Sequence, residues 1–384
     1  MIIVFVFDQY DDNNNGTTVS MRRFVEQLRK KGHEVRVLST GKDEPYKYNC
    51  PAWHGGFGLG WAYKIITSQG MVFGYGDEEV VRRAFTGADV VHFIVPFGIA
   101  LRAIKVAQEM KVPYTAAFHT QPENILYTIH CERVCGLKDF VYHLFYRHFY
   151  KKTHFIHCPT EFIASELRRT GYDNDLRVAS NGVHPMFVPT KVERYPEFVG
   201  KKIILSVGRY SREKRHDVAI RACAKSKYAR DIVLILAGKG VMEKTHRELA
   251  AKLGVQVVWG IYTPEELVRI INMADLYVHP ADAEIEAIAC MEAFTCGIVP
   301  VISNHPKSAT KMFALDDRCL FDHGKPEVLA AKMDYWLDHP EEKDEMSRRY
   351  IEYSQEFRIE NSVTKLETMF HDAIDYYHNV YASA

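Results

Sequence analysis

Short apolar runs and amphipathic stretches alternate along most of the chain. The run MIIVFVF at residues 1–7 predicts a buried strand, and residues 19–34 carry apolar side chains at helical spacing after a polar loop, DQYDDNNNGTT. Residues 34–40 form the next apolar run. Because strand, loop, helix and strand follow in this order, we expect a βαβ unit and therefore a parallel sheet with a right-handed crossover.

The same alternation continues to about residue 170 and starts again near residue 202. In the first stretch we expect strands at ADVVHFIV, PYTAAFHT and FIHCPT, and helices at GIALRAIKVAQEM and EFIASELRRTG. In the second stretch we expect strands at KIILSVG, DIVLILAGKG, VQVVWG, DLYVHP and IVPVIS, and helices at HDVAIRACAKS, TPEELVRIINMA and IEAIACMEAFTCG. The chain from about residue 326 is mostly amphipathic helix.

Two segments interrupt this alternation. Residues 50–80 are rich in glycine and aromatic residues, which predicts a long, partly ordered loop, and residues 184–202 carry three prolines and clustered charge, which predicts a linker. Two α/β stretches on either side of a linker indicate an α/β fold of two doubly wound, Rossmann-like domains that face a central cleft, where ligands bind at the carboxyl ends of the strands. We expect one domain at 1–190, completed by a returning C-terminal helix at 362–384, and the other at 191–361.

Composition and charge narrow the classes of function. Hydrophobic residues make up 47% and charged residues 26% of the chain, which is typical of a globular protein. The 49 Lys and Arg balance 49 Asp and Glu, and a net charge of zero argues against a nucleic-acid binder. The N-terminus lacks the basic region of a signal peptide, and no apolar stretch approaches the ~20 residues of a membrane span. The eight cysteines form no Cys-x-x-Cys pair, so we expect reduced thiols and a cytoplasmic protein.

Two acidic residues stand out in the stretch DLYVHPADAEIEAIACMEAFTCGIVPVIS. Glu284 and Glu292 are eight positions apart, and with Glu284 at the start of a helix both carboxylates would lie roughly on one face. A carboxylate accepts two hydrogen bonds and is suited to sugar or ribose hydroxyls. The alternative is an ordinary acidic first turn of a helix followed by a surface glutamate.

Two basic residues follow a predicted strand in SVGRYSREKRHDVAI. Arg209 and Lys214 come after Gly208 in the loop that leads into a helix, where two cations are well placed to bind a diphosphate. The neighbouring Arg212 and Arg215 keep a second interpretation open, namely a solvated basic loop.

These segments together resemble the retaining glycosyltransferases of the GT-B fold, family 4. The resemblance covers nearly the whole chain, in order: NNNGTTVSMRRFVEQLRKKGHEVRVLS, FHTQPENI, CPTEFIASELRRTG with SNGV, SVGRYSREK, ILAGKG, ADLYVHP, the Glu-x7-Glu segment and SNHPKSAT. The combination of Glu-x7-Glu with Gly-Arg-x4-Lys at this spacing is specific to the family, whereas either element alone is not.

The resemblance implies roles for individual residues. Arg209 and Lys214 match the cations that neutralise the donor diphosphate, Glu284 matches the glutamate near the donor sugar, Glu292 matches the one that holds the ribose, and His119 matches the histidine near the reacting sugar. The catalytic set implied is His119, Arg209, Lys214 and Glu284. The donor set implied is Gly16, Gly208, Arg209, Lys214, Gly238, Trp259, Gly260, Glu284, Ile285, Glu286, Ala287, Ile288 and Glu292. The acceptor set implied is Thr17, His119, Thr120, Gln121 and Glu123.

The resemblance also implies the chemistry. A hydroxyl of the acceptor would attack the anomeric carbon from the face that the leaving diphosphate vacates, with retention of configuration and without a carboxylate nucleophile. The donor would be a nucleotide sugar, and no cofactor or metal is expected. Asp8, Asp11 and Asp12 superficially resemble a cation site, but we expect solvated loop carboxylates there.

The sequence departs from the family after Glu284. Most members carry Gly-Phe-Gly where this chain has Ile285-Glu286-Ala287, and Glu286 adds a negative charge where the donor sugar is expected. That charge either points away from the diphosphate or accepts a hydrogen bond from a sugar hydroxyl. The departure leaves the transferred sugar open, and it also leaves open a nucleotide-sugar binder without catalytic activity.

The acceptor is indicated only by weaker signals. FHTQPENI and the Glu-Ala-Ile-Ala-Cys-x-Glu helix resemble bacterial diacylglycerol glucosyltransferases, which implies UDP-glucose as donor and a membrane lipid as acceptor. Residues 138–152 are rich in aromatic residues and flanked by lysines, so they suit either an anionic membrane surface at the inner face of the cell membrane or a buried helix, and Asp139 and two histidines favour the buried helix.

The charge is mildly asymmetric between the predicted domains. Residues 1–190 hold 22 Lys and Arg against 19 Asp and Glu, a difference of +3, and residues 191–384 carry −3. The sign suits contact of the first domain with anionic lipid.

A polysaccharide precursor or a small soluble acceptor remains an alternative. A nicotinamide-dependent oxidoreductase is disfavoured because the first βα turn lacks Gly-x-Gly-x-x-Gly. The oligomeric state is left open.

Overall fold

The computed structural model describes residues 1–11, 16–42, 44–53 and 72–383, and these residues divide into two compact units. The first unit comprises residues 1–182 together with 359–384, and the second comprises residues 183–358. Both are α/β units built on a parallel sheet, so the predicted fold class is confirmed.

The sheet of the first unit contains seven strands among the described residues, in the order β3-β2-β1-β4-β5-β6-β7 and with every pair parallel. Its strands are β1 (Ile2–Val6), β2 (Glu34–Ser39), β3 (Lys47–Asn49), β4 (Val90–Phe93), β5 (Tyr114–Ala117), β6 (Phe155–Cys158) and β7 (Asp175–Val178). Every residue of β4, β5 and β6 is buried, as expected for central strands of a parallel sheet that is covered on both faces.

The helices of the first unit are α1 (Gly16–Lys30), α2 (Glu78–Phe85), α3 (Ala100–Glu109), α4 (Pro122–Thr128), α5 (Leu137–His148), α6 (Glu161–Arg169) and α13 (Ile359–Ala382). Helix α1 begins at Gly16, three residues earlier than we predicted. Helix α2 contradicts the loop predicted up to residue 80. Asp77 caps it by accepting from the backbone N–H of Val80 at 3.1 Å. The part of that loop at 54–71 lies outside the described residues.

The C-terminal helix packs on the first unit. Val363, Leu366 and Phe370 of α13 are buried in one cluster with Phe24 of α1, and the ring centroid of Phe370 lies 6.4 Å from that of Phe5 on β1. The last helix therefore completes the core of the unit that the N-terminus begins.

The sheet of the second unit contains six strands in the order β10-β9-β8-β11-β12-β13, all parallel. Its strands are β8 (Lys202–Val207), β9 (Ile232–Ala237), β10 (Val257–Gly260), β11 (Leu276–His279), β12 (Pro300–Ser303) and β13 (Leu320–Phe321). Its helices are α7 (His216–Lys225), α8 (Glu243–Leu253), α9 (Pro264–Met273), α10 (Ile288–Thr295), α11 (Pro326–Asp338) and α12 (Pro340–Tyr353). Thr263 and Glu266 form a capping box at α9.

Residues 184–202, which we expected to form a linker, are packed against the second unit. Phe187 and Phe198 are buried in its core, and the guanidinium of Arg194 lies 2.6 Å from the carboxylate of Asp275. The segment contains a short 3₁₀ helix at Pro196–Phe198, and its apolar side chains take buried positions despite the three prolines. The linker prediction is wrong in this respect.

Two glycines allow the loops after β8 and β9 to approach each other closely. Gly238 has a φ of +152°, and a Cβ atom there would lie 2.1 Å from the carbonyl oxygen of Gly208. The backbone N–H of Gly208 donates to Ala237 at 2.9 Å, and that of Gly238 donates to Gly260 at 2.7 Å. The carboxyl ends of three neighbouring strands are therefore held together by their backbones, without intervening side chains.

We expect Gly238→Ala to lower the free energy of unfolding by about 2–4 kcal/mol, because the methyl carbon would lie 2.1 Å from the backbone oxygen of Gly208. Gly254→Ala is the matched control, since its φ of +66° strains alanine but no atom lies within 4 Å, and it should cost only about 1 kcal/mol. Urea denaturation measures both, and equal losses would contradict the proposed close approach.

Candidate active site

The two basic residues after β8 have different environments. Arg209 is 43% exposed, and its Nη2 lies 3.4 Å from Glu213. Lys214 closes a 3₁₀ turn at Arg212–Lys214, and its ammonium group pairs with the carboxylate of Glu284. The solvated loop that we kept as an alternative is therefore not what the structure shows at Lys214.

Glu284 lies in an extended segment between β11 and α10. Its backbone forms a parallel bridge with Ser308, and its carbonyl accepts from the N–H of Ala309 at 2.9 Å. Helix α10 begins only at Ile288, so the prediction that Glu284 starts the helix and shares a helical face with Glu292 is wrong. Glu292 is buried in α10. The pairing of Glu284 with the loop after β12 keeps the chain extended here, and no local sequence pattern encodes that contact.

The carboxylate of Glu284 is ionised. Burial alone would raise its pKa, but Lys214 and His279 outweigh burial and lower the pKa to about 2. His279 Nε2 lies 3.1 Å from Glu284 Oε1, the oxygen that also contacts Lys214. A buried carboxylate is therefore held between Lys214 and His279 beside the end of β8.

A second ion-pair cluster lies beside the first. Arg215 adopts the left-handed conformation at a φ of 51° as the residue before α7, and its guanidinium lies 3.0 Å from Asp282 and 3.0 Å from Asp217. From the sequence, Arg215 was predicted only to belong to a basic loop, and Asp282 was not among the predicted site residues. The ion pair of Arg215 with Asp217 was predictable, because the two residues are close in the sequence. The pair with Asp282 was not, because Asp282 lies in the distant segment after β11.

Residues 285–288 connect Glu284 to α10. Glu286 is buried, which excludes a fully solvated orientation for its charge. Ala287 precedes the helix with a φ of 65°, a conformation that costs alanine about 1 kcal/mol and glycine almost nothing. The backbone thus keeps the shape that glycine would favour although the residue is alanine. Ile285 and Ile288 are partly buried on either side.

Trp259 and Gly260 are the last two residues of β10, within the strand predicted at VQVVWG. The ring of Trp259 packs edge-on against Tyr210 with centroids 5.7 Å apart, and the guanidinium of Arg247 lies 4.7 Å from the Trp259 ring. Together with Gly238, they form the end of the sheet next to Gly208.

The predicted acceptor residues of the first unit follow β5 and surround the start of α4. His119 and Gln121 are buried, and Gln121 is the residue before Pro122 at the first position of α4. Glu123 is buried in the first turn, where it accepts from the hydroxyl of Tyr142 at 3.2 Å and lies 3.5 Å from Lys138. Burial raises the pKa of Glu123. Thr120 is half-buried.

Gly16 and Thr17 begin α1 in the same unit. Gly16 is exposed, and among the described residues no atom lies within 4 Å of the position that a Cβ would take. Thr17 is half-buried.

His119 belongs to a row of three buried histidines. Its ring centroid lies 5.3 Å from that of His157, which in turn lies 6.0 Å from that of His92. Burial lowers the pKa of each of the three, so all are neutral at physiological pH. Nε2 of His119 makes no hydrogen bond within the described part of the chain. A neutral imidazole of this kind donates or accepts a hydrogen bond but carries no charge.

Family models match both units. The model described as Glycosyltransferase Family 4 matches residues 14–187, and the model described as Glycosyl transferases group 1 matches residues 188–357. The chain belongs to the family 4 glycosyltransferases.

Several proteins are similar to this glycosyltransferase at low identity. The alpha-monoglucosyldiacylglycerol synthase of Streptococcus pneumoniae is 24% identical over 325 residues, which is 77% of this chain and 69% of the relative. The GDP-mannose-dependent alpha-mannosyltransferase of Corynebacterium glutamicum is also 24% identical, over 316 residues, 78% of this chain and 71% of the relative.

Solved structures show the same fold. The sucrose-phosphate synthase of Thermosynechococcus elongatus superposes with a TM-score of 0.75 at 15% identity, with 100% of both chains covered. The Anabaena protein HepE in complex with UDP and glucose superposes with a TM-score of 0.72 at 13% identity, covering 97% of this chain and 100% of that chain. The GT-B fold predicted for this glycosyltransferase is confirmed.

Asp8 of this glycosyltransferase corrects one prediction. We expected solvated loop carboxylates, but Asp8 is buried, and its Oδ1 accepts from the backbone N–H of Gly74 at 2.7 Å and of Ile99 at 2.9 Å. Asp11 pairs with Lys47 at 2.6 Å, and Asp12 lies outside the described residues. Within the described ranges, no three His, Cys, Asp or Glu side chains are arranged so that they could hold a metal ion together. Asp8 therefore ties two loops to the end of β1.

Burial raises the pKa of Asp8 from 3.8 to about 6. The folded state thus binds this proton more tightly than the unfolded state, and the stabilisation it gives is complete below the unfolded pKa and is lost as the pH rises through about 6. We expect the free energy of unfolding of the wild type to fall by roughly 1 kcal/mol more than that of Asp8→Asn between pH 5 and pH 7.5. Denaturant titrations at both pH values measure this difference.

Asp11→Asn is the matched control, because the pKa of Asp11 is lowered: although burial raises it, the contact with Lys47 prevails. This variant should keep the Asp8-dependent loss of stability. A wild type and an Asp8→Asn variant with the same pH dependence would contradict the burial of the Asp8 charge.

Proposed function

We propose that this glycosyltransferase transfers glucose from UDP-glucose to a hydroxyl of a membrane lipid such as diacylglycerol, with retention of the anomeric configuration. The observation that carries the proposal is the ionised Glu284 held by Lys214 at the carboxyl end of the second sheet, with Arg209 exposed in the same loop as Lys214. This arrangement offers cations to a diphosphate and a carboxylate to sugar hydroxyls within one edge of a single sheet.

In the proposed reaction, the acceptor oxygen forms a bond to the anomeric carbon as the bond from that carbon to the β-phosphate oxygen breaks. The leaving diphosphate keeps the electron pair, and the proton of the acceptor hydroxyl passes to one of its oxygens. Arg209 and Lys214 stabilise the charge that develops on the diphosphate, which is the role a metal ion plays in other transferases, so we propose that no metal is required.

The remaining donor contacts follow from position and charge. We assign Glu292 to the ribose hydroxyls. Trp259 and Gly260 are assigned to the base, since they end β10 next to the contact between Gly208 and Gly238. Glu284 is assigned to the hydroxyls of the transferred sugar. Glu286 is buried next to it, and we assign its carboxylate to a sugar hydroxyl, because a second carboxylate facing the diphosphate would be repelled.

His119 is assigned to the reacting sugar as a neutral hydrogen-bonding group. Burial lowers the pKa of His119. The imidazole is therefore neutral at physiological pH, and we do not assign it the role of a cationic acid. Thr17, Thr120, Gln121 and Glu123 are assigned to the acceptor, since they line the beginnings of α1 and α4 at the carboxyl end of the first sheet.

A lipid acceptor is supported by one surface of the first unit. Phe140 and Leu144 lie on one row of α5 and are 60% and 39% exposed, and Val134 is exposed before the helix. Of the residues of α5, only Tyr142 is fully buried, so the buried helix that we preferred from the sequence is wrong. Arg133, Arg147, Lys151 and Lys152 are exposed in the same stretch of the chain. We call this set the aromatic-basic surface.

The aromatic-basic surface combines apolar side chains that gain by leaving water with cations that attract anionic headgroups. The name of the pneumococcal relative, an alpha-monoglucosyldiacylglycerol synthase, supports the same acceptor class. No helix among the described residues is both long and apolar enough to cross a bilayer. We propose a cytoplasmic enzyme bound peripherally to the inner face of the membrane.

The donor and acceptor have alternatives that the relatives keep open. The GDP-mannose-dependent relative favours a different donor, and a D-inositol 3-phosphate glycosyltransferase of Corynebacterium aurimucosum, 28% identical over 185 residues, favours a soluble acceptor. Incubation with UDP-glucose, UDP-galactose and GDP-mannose, each with diacylglycerol vesicles or soluble polyols, followed by mass spectrometry, separates these possibilities. Product from UDP-glucose and diacylglycerol alone is the expected result.

We expect Lys214→Met to reduce kcat by about 100-fold or more, because a cation that faces the leaving diphosphate contributes on the scale of an oxyanion-hole donor. Lys252→Met, an exposed lysine on α8 of the same unit, is the control and should keep wild-type turnover. Turnover is measured with the donor that gives product, with and without EDTA. Full activity in Lys214→Met would refute the assignment.

We expect Phe140→Ser combined with Leu144→Ser to weaken binding to phosphatidylglycerol vesicles by about tenfold or more, since each side chain would no longer bury apolar area. Val199→Ser, at a 71% exposed position of the second unit, is the matched control. Vesicle flotation measures binding. If the double variant floats like the wild type, the aromatic-basic surface is not a membrane contact.

A further inference from the structure

A chain of buried polar side chains runs from the core of the second sheet to Glu284. Tyr277 and His279 both lie on β11, their rings are nearly parallel at 22°, and the hydroxyl of Tyr277 lies 3.1 Å from Nδ1 of His279. His279 Nε2 continues the chain to Glu284 Oε1 at 3.1 Å, and Lys214 closes it. Neither Tyr277 nor His279 was among the site residues predicted from the sequence.

The protons of this chain have only one consistent arrangement. The carboxylate of Glu284 is ionised and only accepts hydrogen bonds, so Nε2 of His279 carries a hydrogen and donates it. The imidazole is neutral because burial lowers the pKa of His279 despite the nearby carboxylate. Nδ1 therefore lacks a hydrogen and accepts from the hydroxyl of Tyr277. Tyr277 thus selects the tautomer that donates to Glu284.

The two donors use only one oxygen of Glu284. Lys214 and His279 both contact Oε1, and no hydrogen bond within the described part of the chain reaches Oε2. With Oε1 fixed from two directions, rotation of the carboxylate about its terminal bond is restricted, and Oε2 keeps a constant position from which it can accept a hydrogen bond.

We propose that His279, with its tautomer set by Tyr277, is a positioning residue that orients Glu284 so that Oε2 accepts a hydrogen bond from a hydroxyl of the donor sugar. Packing alone does not require this chain, because apolar residues of similar size would fill the same volume without the cost of burying polar groups. The inference rests on the proposed role of Glu284 in donor binding.

The test compares the affinity for UDP-glucose with that for UDP, which lacks the sugar. Calorimetry on the full-length wild type should show tighter binding of UDP-glucose. In His279→Leu this advantage should shrink by about tenfold or more, the scale of a lost hydrogen bond to a charged group, while UDP is bound as before. His279→Gln should recover most of the advantage, because its amide N–H group can reach Glu284. Tyr277→Phe should lose part of it.

Tyr350→Phe provides the matched control for a buried hydroxyl in the same unit. Tyr350 is fully buried, and its hydroxyl accepts from the backbone N–H of Leu315 at 3.2 Å, so it belongs to a different hydrogen-bonded group from Glu284. This variant should lose stability in thermal unfolding without changing the ratio of the UDP-glucose and UDP affinities. If His279→Leu does not fold, the ratio of the UDP-glucose and UDP affinities is measured in Tyr277→Phe and His279→Gln. An unchanged ratio in Tyr277→Phe would then contradict the proposal.

The outcomes separate the inference from the proposed function. If Glu284→Gln leaves the sugar-dependent advantage intact, or the wild type shows none, the assignment of Glu284 is wrong and the inference falls with it. If Glu284→Gln abolishes the advantage but His279→Leu and Tyr277→Phe keep it, only the inference is wrong. Equal losses for UDP and UDP-glucose in His279→Leu would indicate a purely structural role and also overturn it.

Discussion

A carboxylate that is buried must be matched by positive charge or hydrogen-bond donors, and this requirement at Glu284 determines the arrangement of much of the second unit. Its partners come from separate parts of the chain: Lys214 follows β8, and His279 ends β11. The loop after β12 supplies the backbone contact. Because β8, β11 and β12 are neighbours in a parallel sheet, their carboxyl ends bring these groups to one edge. A different strand order would leave the charge without compensation.

The glycines at the other side of β8 serve a complementary purpose. Where Glu284 requires side chains, the contact between Gly208 and Gly238 requires that there be none, so that backbone meets backbone. One half of the sheet edge therefore carries fixed charges, and the other half is a close contact between backbones. A ligand with a charged centre and a flat, polar end suits this division, and we therefore propose a nucleoside diphosphate sugar for this site.

Much of this organisation was predictable from the sequence, because the α/β alternation follows from the spacing of hydrophobic residues, which is a local property of the chain. The two parallel sheets follow from it, and the resemblance located Lys214 and Glu284. The extended backbone at Glu284 was not predictable, since it depends on pairing with Ser308, and Arg215 with Asp282 depends on a contact between distant segments. Asp8 looked like a loop residue because its neighbours are polar. Its burial comes from Gly74 and Ile99, which are far away in the sequence.

The C-terminal helix has a consequence for the order in which the chain becomes structured. The second unit is one continuous segment, 183–358, whereas the first needs residues from both termini to complete its core. During synthesis the N-terminal part emerges first, yet its apolar surface around Phe24 stays uncovered until residues 359–382 leave the ribosome. The unit that begins the chain is thus the last to be finished, and a truncated product would expose that surface.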